Sequence, residues 1–141
     1  MLPTNITSIP ESTFADCYSL TSISIPSTVE TIADYAFNNC FKLSSISCPA
    51  TDIGYNAFAF CISIESATFT VLDAESVQGL ITSNNIFEGI NFTLDPDGYP
   101  DELYDKTVHI TCSDSAFEVV FYADGSIEFI EAISGEGGGG N

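Results

Sequence analysis

The chain has 141 residues, 2 of them basic and 20 acidic, which gives a formal net charge of −18, and 45% are apolar. The apolar share is ordinary for a packed domain and argues against wholesale disorder, while the charge argues against nucleic acid or an anionic membrane as partner, because both attract lysine and arginine. No stretch reaches the roughly 20 apolar residues of a spanning helix, and five cysteines, an odd number, do not complete a disulfide framework.

The chain opens directly on a pattern written three times. Pro3, Pro26 and Pro49 are 23 and 23 apart; Phe14, Phe37 and Phe58 are 23 and 21 apart, and Cys17, Cys40 and Cys61 keep the same step. Leu20, Leu43 and Ile64 follow, then Ile23, Ile46 and Ala67, then Ile25, Cys48 and Phe69. A period in the twenties marks an array in which one short unit stacks on copies of itself. In the second copy Val29, Ile32, Ala36, Phe37 and Cys40 are spaced as a helical or tight turn, and Ile46 and Cys48 alternate with polar neighbours as a strand does. Pro26 ends the preceding strand. The third copy is two residues shorter between its Pro and Phe, so Val29 is expected to have no counterpart there. The in-step cysteines read as a ladder of small buried thiols, with a Cys17–Cys40 bridge as the lesser reading.

The strings LTSISIPSTVETIADYAFNNCFKLSSISCP and IGYNAFAFC resemble the BspA-like leucine-rich repeat family, whose unit runs roughly LxxIxIPxxVxxIGxxAFxxC. The likeness covers residues 3–69; Thr13 stands for the usual Ala, Ala33 for Gly and Cys48 for the final Ile. It implies an α/β repeat solenoid of about three coils with a parallel sheet on one face and no catalytic residues. It also implies kinship with surface adhesins of bacteria and protists, and with repeats of phage virion proteins.

Two surfaces follow from this reading. The residues flanking each inward strand position, Ser22, Ser24, Ser45, Ser47, Ser66 and Thr68, form an uncharged hydroxylated strand face suited to a protein or a glycan. The first repeat begins within two residues of Met1, which leaves Ile9, Phe14, Leu20, Ile23 and Ile25 as an open end expected to dock on a second copy or a scaffold.

After Phe69 the period is lost. Asp73 suits an N-cap, with Ala74, Val77 and Ile81 on one face of a short helix over 73–81 that closes the array. Asp95, Asp97, Asp101 and Glu102 lie in an acidic loop read as a solvated turn and, more weakly, as a calcium site; Tyr99 breaks the EF-hand pattern. Phe117, Val119 and Phe121, then Asp124-Gly125, then Ile127, Phe129, Ile130 and Ile133 describe a hairpin. Val108, Ile110 and Cys112 form the strand before it. VHITCSDSAFEVVFYADGSIEF is loosely similar to modules that close BspA-like repeats. The expected division is repeats over 1–71, a closing helix and acidic loop over 72–106, an antiparallel β meander over 107–134 and a flexible Gly-rich tail over 135–141. Asn5 and Asn91 open sequons that matter only on a eukaryotic secretory route.

A nucleophile needs a base, and the single histidine, His109, has no Ser or Cys motif beside it. The expectation is a non-enzymatic interaction protein without cofactor or metal. It assembles into or decorates a virion or filament as an oligomer or docked subunit; the alternative is an adhesin fragment at an extracellular surface that binds host protein or glycan.

Overall fold

The computed structural model describes residues 2–131. Ile133 of the expected hairpin and the Gly-rich tail lie outside the described residues. In chain order the elements are β1 (Ser8–Ile9), β2 (Thr31–Ile32), β3 (Ser45–Cys48), β4 (Asp52–Ile53), β5 (Ser66–Phe69), α1 (Ala74–Ser83), β6 (Phe92–Leu94), β7 (Pro100–Leu103), β8 (Lys106–Thr111), β9 (Ala116–Phe121) and β10 (Ile127–Glu131).

Successive repeats meet along three lines. On the first, β1, β2 and β4 pair in parallel, Ile9 opposite Ile32 opposite Ile53. On the second, β3, β5 and β8 pair in parallel, Ile46 opposite Ala67 opposite Ile110. Two parallel sheets therefore serve the repeats where one was expected. The third line joins the turns around the phenylalanines. Phe14 N–H donates to Ala36 O at 2.8 Å, Phe37 N–H to Ala57 O at 2.8 Å, and Phe58 N–H to Ile86 O at 2.9 Å.

The turn works because two residues four apart take left-handed backbone: Ser12 and Asp16, Tyr35 and Asn39, Asn56 and Phe60, Asn85 and Gly89. Those residues swing N–H groups out of the repeat, so Asp16, Asn39 and Phe60 donate to Asn38, Ala59 and Glu88 of the following one. Asn, Asp and Gly tolerate that conformation; Tyr35 and Phe60 adopt it at a steric cost. These segments are hydrogen-bonded turns, not α-helix.

Packing follows the same lines. Phe14 stacks on Phe37 with ring centroids 5.2 Å apart, Phe37 on Phe58 at 5.3 Å, and Phe58 lies 6.0 Å from Phe87. Phe37, Phe58 and Phe87 are buried and Phe14 is half-buried. Cys40 donates its Sγ hydrogen to Phe14 O and Cys61 to Phe37 O, both at 3.2 Å, and all five thiols are free. Burial pushes the Cys61 thiol well up and that of Cys48 to about 11, so both stay protonated at neutral pH.

The repeat pattern outlasts residue 69. Asn85 to Ile90 form a fourth turn, Phe87 extends the aromatic stack, and Ile90 takes the place of the cysteine. The matching strand is β8, so the segment expected to be a separate meander continues the repeats' own sheet: β9 and β10 add to β8 antiparallel, in the order β10-β9-β8-β5-β3. Helix α1 fills the first part of this fourth repeat. Asp73 caps it by accepting from Ser76 N–H at 2.9 Å, and Val77 and Ile81 are buried. The counterpart of Val29 is also present. Thr51 and Asp52 both donate to Glu30 O, as Glu30 and Thr31 do to Thr7 O, which places buried Ala50 in the Val29 position.

Candidate functional site on the strand face

The inward residues of β8 are Lys106, Val108 and Ile110, all buried, so Thr107, His109 and Thr111 face out. Register then sets two rows across the parallel strands: Ser45, Ser66 and His109 in one, and Ser47, Thr68 and Thr111 in the other. Of the expected face residues, Ser45, Ser47, Ser66 and Thr68 are thus brought together on one surface. Ser22 and Ser24 are exposed and alternate with half-buried Ile23 and Ile25, but residues 21–26 form no strand, and the ladder reaches this segment through the bond from Ser44 N–H to Thr21 O. The first row continues into β9 and β10 as Glu118 and Ile130, the second as Ala116.

His109 sits in the middle of the first row. Its Nδ1 lies 2.9 Å from Glu118 Oε2, and the two side chains are 63% and 39% exposed. Sequence reading set His109 aside because no partner adjoins it along the chain; the partner stands on the next strand. Ser66, His109 and Glu118 follow one another across three strands, yet no hydrogen bond joins the Ser66 hydroxyl to the imidazole among the described residues. The face is exposed and carries hydroxyls and one imidazole.

The expected open end is only partly open. Ile9 is fully buried; Phe14, Leu20, Ile23 and Ile25 pack against the core on one side and stay half-buried, with Leu2 and Ile6 beside them. Ile9 therefore belongs to the core.

The acidic loop does not gather its carboxylates. Asp95 accepts from Asp97 N–H and Tyr99 N–H with the same Oδ1, both at 2.9 Å, and this closes the turn on itself. Among the described residues no three His, Cys, Asp or Glu side chains come close enough to hold a metal ion. Asp95, Asp97, Asp101 and Glu102 are not brought together as a ligand set in this arrangement. Tyr99 has a packing role instead: its ring meets Phe41 and Tyr18 edge-on, both at 6.0 Å, and docks the β6–β7 hairpin on the repeats.

Sequence reading also missed Lys106. It is 3% exposed and its ammonium donates to Ile62 O at 2.7 Å and Ile90 O at 3.3 Å, tying β8 to the third and fourth turns. Burial lowers its pKa, and Glu65 and Cys61 act against that shift. Asn91 is buried as well, its Nδ2 reaching the carbonyls of Tyr104, Phe121 and Tyr122.

Residues 1–93 match the family model of the BspA type leucine-rich repeat region in 6 copies, and the chain belongs to that family. The match extends past the 1–71 expected from spacing, into the fourth turn described above. Neither a curated protein nor a solved structure matches the chain.

Proposed function

We propose that this chain is a non-enzymatic binding module, its repeats wound as a short solenoid, that engages a partner protein through the outward face of β3, β5 and β8. Membership of a leucine-rich repeat family supports protein interaction as the class of activity. The observation that carries the face is its composition: Ser45, Ser47, Ser66, Thr68, Thr107, Thr111 and His109 form a polar band with no carboxylate in its rows across β3, β5 and β8, Glu118 joining only on β9 against His109, in a protein of net charge −18. A band without like-charge repulsion lets a partner approach closely, and aligned hydroxyls supply adaptable donors and acceptors. A role outside the cell in surface attachment belongs to the same reading. The proposal does not extend to virion assembly.

The test is a microarray of purified surface proteins and glycans, probed with the folded chain and with two variants. Wild-type hits that vanish with Ser47→Arg/Thr68→Arg and persist with Glu75→Arg on α1 support the face. Hits that survive the face substitutions refute it, and hits confined to glycans replace the protein partner with a saccharide.

A further inference from the structure

A cleft of about 310 Å³ opens between the fourth turn, the β6–β7 hairpin and the β9–β10 turn. Its walls are largely apolar. Phe60 and Phe92 stack at 6.0 Å between centroids, and Leu103, Tyr122 and Ile127 complete them. Leu103 and Ile127 are 46% and 39% exposed, so the apolar rim faces solvent. Gly89 brings the turn against Phe60: its φ is +70°, and a Cβ there would stand 2.4 Å from the Phe60 ring. Ligand sites span roughly 300–1,000 Å³, which places this one at the small end, suited to a single long side chain.

One carboxylate lines these walls and three more are hydrogen-bonded to residues that do. Glu88 belongs to the lining. Tyr122 donates its hydroxyl to Glu128 Oε1 at 2.5 Å, Asp105 accepts from Ala123 N–H at 2.9 Å, and Asp124 accepts from both the amide and the hydroxyl of Ser126. The chain's two cations do not offset them. The Lys106 ammonium is buried on backbone carbonyls, and Lys42 lies in the turn after Cys40; among the described residues neither forms an ion pair.

We propose that this cleft is a binding site for an arginine side chain carried on a basic segment of a partner protein. Its aliphatic stem packs along Phe92, Leu103 and Ile127. The guanidinium is planar and always charged, so it stacks on an aromatic ring and hydrogen-bonds carboxylate oxygens in pairs, which an ammonium does not. The hydroxyl rows of the strand face supply none of these walls, so the two surfaces stand or fall separately.

The test titrates the ¹⁵N-labelled full chain at low ionic strength with acetyl-Leu-Arg-Leu-amide and with its citrulline counterpart, an uncharged isostere. The arginine peptide shifts the amides of Gly89, Phe92, Gly125 and Ser126 and leaves those of Ser45, Ser66 and Thr111 in place. The citrulline peptide binds roughly tenfold more weakly, and Glu88→Gln, at an exposed residue, weakens the arginine peptide roughly fivefold while Glu75→Gln leaves it unchanged. Equal affinity for the two peptides, shifts spread over the acidic surface, or an equal loss with Glu75→Gln would overturn the assignment.

Discussion

Truncating Phe58 and Phe14 to alanine tests whether the aromatic stack carries the repeats. Phe58 is fully buried with a ring on either side, Phe37 at 5.3 Å and Phe87 at 6.0 Å. Losing such a side chain costs the transfer free energy plus a residual cavity, about 3–5 kcal/mol for Phe→Ala in a core. Phe14 is half-buried and meets a ring on one side only, Phe37 at 5.2 Å. Its truncation removes roughly half that area and one aromatic pair, or about 1–2 kcal/mol. Urea unfolding followed by circular dichroism reads both, and the m-value shows whether the repeats still unfold together. Phe58→Ala is expected to cost at least about 1 kcal/mol more than Phe14→Ala. Equal losses, or a Phe58 loss below about 1 kcal/mol, would refute the stack as the axis of the core.

Three further outcomes follow from the packing. Gly54→Ala places a Cβ 2.5 Å from Asp34 N and 2.8 Å from Ala33 C, backbone that cannot step aside, and is expected to lower the urea midpoint by the equivalent of about 1–3 kcal/mol. Gly79→Ala on α1 meets nothing within 4 Å and is expected to raise it by about 0.5–1 kcal/mol. Lys106→Ala strands the carbonyls of Ile62 and Ile90 and is expected to cost about 2–4 kcal/mol, measurable as a fall in thermal midpoint. For pH, the Cys48 thiol is raised in the folded state to about 11 against an ordinary 9.0, so its contribution is complete below pH 9 and lost as pH climbs through 11. The loss is on the order of 2 kcal/mol, and Cys48→Ala is expected to make that alkaline limb of the stability curve shallower by this share, leaving the part due to Cys61.

How much of this was legible in the sequence depends on which residues repeat. The stack and the β3–β5 pairing were visible because every copy spells them with a Phe, a Cys and two alternating apolar residues. The β1–β2–β4 ladder was not, since each of its strands is two residues long and contributes a single inward isoleucine. The fourth repeat was hidden by insertion. Phe58 to Phe87 is 29 residues because α1 intervenes, and Ala67 to Ile110 is 43 because the β6–β7 hairpin intervenes as well. Ile90 in the cysteine position removed the last marker. Of the candidate face, four of six residues were found by alternation alone. His109 and Thr111 join it through a pairing between strands far apart in the chain, and a lysine on the inward side of β8 gave no signal of its two carbonyl partners.

Nuclear Overhauser contacts between selectively labelled phenylalanine rings test the central claim most directly. Cross-peaks linking Phe14 to Phe37, Phe37 to Phe58 and Phe58 to Phe87, in that order, are the expected result. A spectrum in which Phe58 fails to reach both of its neighbours, or Phe87 contacts neither Phe58 nor Phe69, would contradict the four-turn arrangement.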